Sequence, residues 1–398
     1  MFKKMFYLVV VLIFSAVSFS VYLHEEDIDD LAFIIAIGID ESEDDNLKMT
    51  FQISIPSDNS SSDKKDSSSS KESSSDTLIK NVECKSINSG LNQVNNLVNK
   101  RVDLSHCMFI IFSESIAKKG ISEHINTLEN NLELRSHCNI IVSSCEAKSF
   151  IESVNPVLET STAQLYEILK TATKYTGSTS DSTLNTVYAS IEDTFGEASA
   201  ILGNLIPSQD ESNNQKSNSD SKNEIELAGI AVFKGDKFVG ELSIDETICY
   251  LISTNRLKQC VISIPSPFYD NNYIDVHLSQ FYNTKNSVEI NDSIPTINSV
   301  VCLESTIMSS STDFDSQSSE DVLKLQNSIS EYIQNKMIEY FNKISKVYMS
   351  DISQFGKHAV YLFPTELDWK NYNWLDKFNQ AEFNVTVNVN INTSYFVS

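Results

Sequence analysis

Glycine is scarce in this sequence: ten in 398 residues. No G-x-G-x-x-G or G-x-x-x-x-G-K-[ST] run occurs, which excludes the common phosphate-cradling loops. Positive charge is short as well. Lys plus Arg total 30 against 54 Asp plus Glu, a formal net charge of −24. An anionic surface has no broad grip on nucleic acid, because phosphate binding needs a cationic face. None of the six histidines (His24, His106, His124, His137, His277, His358) sits in H-E-x-x-H spacing, and no serine sits in G-x-S-x-G. The local signatures of zinc peptidases and of α/β-hydrolases are therefore absent.

The seven cysteines (Cys84, Cys107, Cys138, Cys145, Cys249, Cys260, Cys302) include no C-x-x-C pair. An odd number scattered through the chain does not read as a disulfide framework. His106-Cys107 and His137-Cys138 place imidazole beside thiol, as in zinc sites. Both pairs flank apolar runs, where cysteine packs as a small hydrophobe, so no metal or cofactor site is assigned.

What the chain does have is apolar content, 41%, enough for packed cores. Its longest uncharged stretch is Met5–Leu23, preceded by Lys3 and Lys4 and followed by Glu25, Glu26, Asp27, Asp29 and Asp30. That charge asymmetry predicts a cytoplasmic N-terminus and an exported remainder. The length suits either a secretory signal or an uncleaved membrane anchor, and Ser18-Phe19-Ser20 is a poor small-x-small cleavage site.

Three polar, Ser-rich tracts punctuate the rest: Ser57–Asp76, Ser208–Asn223 and Ser309–Glu320. They hold too little apolar surface to offset ordering entropy. They divide the chain into an N-terminal α/β domain (27–205, with a flexible insert at 57–76), a linker (206–224), a middle domain (225–307) and a C-terminal domain (308–398). The fold class is α+β, with three mixed α/β domains.

Leu31–Ile39, Met108–Phe112 and Asn139–Ser143 are short continuous apolar runs, expected as buried strands. Lys48–Ile55 alternates, with Met49, Phe51, Ile53 and Ile55 on one face. Ile87, Leu91, Val94, Leu97 and Val98 mark one helical face, and Ile116–Leu132 and Leu165–Ala172 are further helical stretches. Glu226–Phe233 and Lys237–Leu242 form a hairpin turning at Gly235-Asp236. Ser243 and Glu246 have capping-box spacing, so a helix starts there. Cys260–Ile264 and Thr296–Cys302 are further strands. The C-terminal domain opens with a long amphipathic helix, about 320–349, packed on an antiparallel sheet. Its last strand alternates strictly: Phe383, Val385, Val387, Val389 and Ile391 against Asn384, Thr386, Asn388, Asn390 and Asn392. Trp369 and Trp374 are expected in the core beside it.

Taken in order, these segments resemble the Ger(x)C family, the C subunits of spore germinant receptors. Asp27-Ile28-Asp29-Asp30-Leu31-Ala32 with Ile37-Gly38-Ile39-Asp40 is similar to the family's opening block. Ser105-His106 with the following FIIFSESIAKKGI resembles its next segment, and Leu134-Arg135 matches the end of a third. Leu227–Lys234 with Lys237 and Val239-Gly240 resembles its central hairpin. Asp351, Phe355-Gly356, Trp374 and the terminal V-x-V-x-V strand resemble its closing block. The resemblance runs from about residue 27 to 395.

It implies a non-enzymatic lipoprotein on the outer face of the spore inner membrane, beside polytopic A-type and B-type subunits, with no catalytic residues and no cofactor. One departure stands out. The family's lipobox cysteine aligns with Tyr22, which has no thiol and cannot accept diacylglycerol. The Met5–Leu23 helix is then expected to anchor the chain in place of the lipid. Two other classes stay open: an exported solute-binding or adhesin-type protein, and an exported hydrolase. For the hydrolase, Ser105-His106 offers a nucleophile beside a base, but adjacent side chains on a strand point to opposite faces.

Overall fold

The computed structural model describes residues 2–7, 12, 14–15, 30–54, 77–154, 161–207, 223–309 and 318–392. Tyr22, most of Met5–Leu23 and nearly all of the three Ser-rich tracts lie outside them. Among the described residues no helix is long and apolar enough to cross a membrane.

The first sheet has nine strands: β1 (Leu31–Glu41), β2 (Leu47–Ser54), β3 (Thr77–Cys84), β4 (Arg101–Asp103), β5 (Phe109–Ser113), β6 (Asn139–Ser143), β7 (Ser199–Pro207), β8 (Asn223–Lys234) and β9 (Lys237–Leu242). Their order is β3-β2-β1-β5-β6-β7-β8-β9, with the short β4 also on β1. The centre, β1-β5-β6-β7, is parallel and both wings are antiparallel. Helices connect the parallel strands, as such crossovers require: α1 (Ile87–Leu97), α2 (Glu114–Lys119), α3 (Ser122–Glu129), α4 (Ala147–Glu152), α5 (Ser161–Thr171) and α6 (Leu184–Glu192).

The apolar runs FIIFS and NIIVS are buried on both faces because helices cover both. Ile37, Ile110 and Phe112 meet Val94, Ile125 and Val187 of α1, α3 and α6 on one side. Ala36, Ile111 and Ile141 meet Phe150 and Leu165 of α4 and α5 on the other. β2 departs from the one-faced alternation expected of it, since Thr50 and Gln52 are buried too. The helix expected over 116–132 is broken at Gly120, whose φ of 130° no side-chain-bearing residue adopts easily and which lies against the Asp236 carboxylate.

The second sheet contains β10 (Gln259–Pro265), β11 (Tyr273–Ser279), β12 (Lys285–Asn291), β13 (Ile294–Ser309) and β14 (Glu382–Ile391). Two longer helices pack into its core, together with Phe355, Trp369, Trp374 and Phe378 from the segment before β14. The first, α7 (Ile244–Ser253), starts at the expected capping box, with the Ser243 hydroxyl and the Glu246 carboxylate each accepting from the other's backbone N–H. The second, α8 (Ser319–Asn342), buries Leu325, Ile329, Ile333, Met337, Tyr340 and Phe341. These pack with Val385, Val387, Val389 and Ile391 of β14.

Two expectations about domain boundaries meet a different arrangement, although the α+β class stands. The 226–242 hairpin, expected to open a middle domain, extends the first sheet. β7 and β8 pair antiparallel out to Pro207 opposite Asn223, so the Ser-rich tract 208–223 joins two paired neighbours. The middle-domain strands and the C-terminal strand β14 share one sheet and one core. β14 runs parallel to β13, not antiparallel as expected, because α8 lies between them and carries the chain back to the same end of the sheet.

Candidate functional site at the junction of the two sheets

Asp351, Phe355, Gly356 and Trp374 of the closing block are buried. They gather where the first sheet meets the second. The chain leaves α8 through a widened turn, Lys343–Tyr348, which ends at Met349 with φ 50°. The next residues lean on the β8–β9 hairpin. The Ser350 hydroxyl donates to the Phe233 carbonyl at 2.5 Å. The Tyr348 hydroxyl donates to the Glu241 carbonyl at 2.7 Å, and its ring fills the space that a side chain at Gly240 would occupy. Lys343 meets the Glu246 carboxylate at 2.7 Å.

Asp351 is the hub. Its carboxylate is fully buried and accepts three hydrogen bonds: from Phe355 N–H at 3.0 Å, Gly356 N–H at 2.9 Å and the Trp374 indole N–H at 2.8 Å. Its own carbonyl accepts from Glu197 N–H at 3.0 Å, so one residue ties the second unit to the first. Gly356 lies so close to the Phe195 carbonyl that any side chain there would collide with it. Trp374 stacks on Trp369 with ring centroids 6.0 Å apart, and the Trp369 indole donates to Thr194 at 2.9 Å. Glu197 accepts from Gly235 N–H at 2.7 Å, at the hairpin's turn. A buried hydroxyl chain, Tyr340–Ser353–Ser253, continues the polar seam, with 2.8 Å and 3.0 Å links.

Both carboxyls are pushed up by burial. Asp351 rises to about 6, its three donors holding it lower than burial alone would. Glu197 rises to about 7, the neighbouring Asp351 charge adding to desolvation. Neither is in an ion pair among the described residues. Their donors are backbone N–H groups and an indole, so the arrangement fixes geometry and takes up protons.

The other candidates are dispersed. The thiols of Cys107 and Cys138 are in contact, and this contact together with burial raises the Cys138 thiol. His106 is exposed and packs edge-on against Phe33. Among the described residues, no group of three or more His, Cys, Asp or Glu is placed to hold a metal. Ser105 corrects one expectation. It lies in a turn, not on a strand, and its hydroxyl reaches both the Asp103 carboxylate and the His106 imidazole, the latter at 3.0 Å. The carboxylate thus sits on the serine instead of on the histidine, which is not the order a proton-relaying triad needs. Glu197, Thr194 and Ser350 carried no sequence signal. Single polar residues in weakly patterned segments are found only when the fold brings their partners to them.

Two family profiles cover most of the chain: "Spore germination protein N-terminal domain" over residues 24–206 and "Spore germination B3/ GerAC like, C-terminal" over residues 228–395. A curated relative, "Spore germination protein GerQC" of Bacillus cereus, is 20% identical over 295 residues, covering 74% of this chain and 76% of its own length. The solved structure titled "Crystal Structure of the GerBC protein" shares the fold with a TM-score of 0.52 at 16% identity, over 89% of this chain and 96% of that one.

Proposed function

The chain belongs to the GerAC family of spore germination proteins, and from that premise we propose that it is the non-catalytic C subunit of a germinant receptor. It acts by contact: the two-sheet body lies outside the spore inner membrane and docks on A-type and B-type membrane subunits. The observation that carries this reading is the Asp351–Glu197 junction. The residues of the closing block and the central hairpin are used up in locking two sheets together, which suits a rigid scaffold better than an enzyme. Tyr22 provides no thiol for lipid, so the uncharged Met5–Leu23 stretch serves as the anchor. The net charge of −24 fits this, since anionic headgroups repel such a body and an apolar tether is needed to hold it there.

The test is fractionation of spores carrying a tagged chain. The tagged chain should stay with inner-membrane vesicles through an alkaline wash and co-purify with A-type and B-type subunits. An abundant monomer absent from spore membranes would overturn the receptor reading. A mature form starting near residue 21 in the soluble fraction would overturn the anchor alone.

A further inference from the structure

A cleft of about 500 Å³ opens between α5 with its continuation to Thr176, on the first unit, and the loop entering β10, on the second. Lys170, Lys174, Arg256 and Lys258 line it together with Tyr166 and Tyr175. Four cations around one cavity are unusual in a chain with 30 cations against 54 acids. They are only partly neutralised. Glu167 pairs with Lys170 at 3.1 Å, and Asp181 is the remaining carboxylate at the cleft. Lys174 and Lys258 are exposed and form no ion pair among the described residues.

Arg256 is held in place by the protein. Its Nη1 donates to the Ser180 hydroxyl at 3.0 Å, to the Asp181 carbonyl at 3.4 Å and to the Tyr250 hydroxyl at 3.4 Å. All three bonds use one nitrogen, so Nε and Nη2 are left without a partner among the described residues. A half-buried guanidinium fixed at one corner, with unused donors in a planar fork, is pre-organised for a planar two-oxygen acceptor. Tyr166 and Tyr175, each about half exposed, present ring surface beside it.

We propose that this cleft binds a small organic carboxylate with a planar apolar body. The Arg256 fork clamps the carboxylate, Lys174 and Lys258 add charge, and the tyrosine rings take the body. The volume falls within the ~300–1,000 Å³ usual for small-molecule sites. Glu167 and Asp181 limit the positive excess, which favours a singly charged carboxylate over a polyanion. The proposal does not rest on the receptor reading, because the measurement uses the purified chain alone.

The probe is 4-hydroxybenzoate, titrated calorimetrically into the full chain in neutral detergent, with 4-hydroxybenzamide as the uncharged twin. Saturable binding of the acid and none of the amide is expected. The double variant Lys174→Gln with Lys258→Gln, at two exposed positions outside the core, should weaken binding at least about tenfold, the scale of one lost charge-assisted hydrogen bond. Lys370→Gln, exposed and outside the lining of the cleft, should leave it unchanged. Equal binding of the amide, undiminished binding by the double variant, or no saturation below about 10 mM overturns the proposal.

Discussion

Replacing Glu197 with glutamine tests the junction most directly. Glu197 is 4% exposed and accepts one backbone hydrogen bond, from Gly235. Its folded carboxyl titrates at about 7, against 4.5 for an ordinary glutamate. In the window between those values the folded state holds a proton that the unfolded state has released. Stability therefore falls as pH rises through the window, and the full cost is present above about pH 7. At 1.36 kcal/mol per tenfold difference in proton affinity, that cost is about 3 kcal/mol. Glutamine keeps an oxygen for Gly235 N–H and cannot ionise. Glu197→Gln should therefore stabilise the protein by about 2–3 kcal/mol at pH 8, and by less than about 1 kcal/mol at pH 5. The assay is urea unfolding of both proteins at the two pH values, followed by tryptophan fluorescence, since Trp369 and Trp374 sit at the same junction. A gain of equal size at both pH values, or a loss at pH 8, would refute the assignment of a buried, proton-holding carboxyl.

Trp374→Phe keeps the ring packing but removes the indole donor to Asp351. It should cost about 1.5–3 kcal/mol, as for a bond to a charged acceptor, and it should push the Asp351 carboxyl above its present value of about 6, read by the pH dependence of unfolding. Gly356→Ala drives a methyl into the Phe195 carbonyl. It should lower stability by at least about 1–3 kcal/mol, visible as a drop in Tm. Ser243→Ala deletes half of a capping box and should cost about 1 kcal/mol in the same measurement. Of the seven thiols, half-buried Cys302 and Cys145 should be alkylated first in the native protein. Cys84, Cys107, Cys138, Cys249 and Cys260 should react only after unfolding, as mass spectrometry of the adducts would show.

What was legible in the sequence was local. The strict alternation of β14, the uniformly apolar β5 and β6 and the Ser243–Glu246 capping box each depend on neighbours a few residues away, and each formed where expected. Strands such as β12 gave no pattern because they bury almost nothing: only Val288 of its seven residues is fully covered. β12 exists because β13 offers it a hydrogen-bonding edge, and that is a non-local fact. Polar tracts are ambiguous markers of domain boundaries for a related reason. A polar tract signals a break in packing along the chain, but it does not say whether the flanking segments part or pair. Ser54 lies opposite Thr77 and Pro207 opposite Asn223, so two of the three tracts bridge adjacent strands of one sheet.

The same limit governs the candidate site, and it bears on how the protein works. Asp351 and Gly356 stand out only through family resemblance, and Trp374 otherwise only as a core aromatic; the three are scattered over 24 positions of sequence with no motif spacing between them. In the fold, the carboxylate of Asp351 binds the other two, and its carbonyl reaches Glu197 on the other sheet. A junction of buried groups can tell no partner from another, because nothing outside the protein touches it. On the function proposed above, selection of a membrane partner or of the proposed carboxylate falls to the exposed surfaces on either side of the junction, and the Lys174–Arg256–Lys258 cleft opens between the same two units. Mutations that loosen the junction should therefore weaken ligand and partner binding together, whereas surface mutations should separate the two.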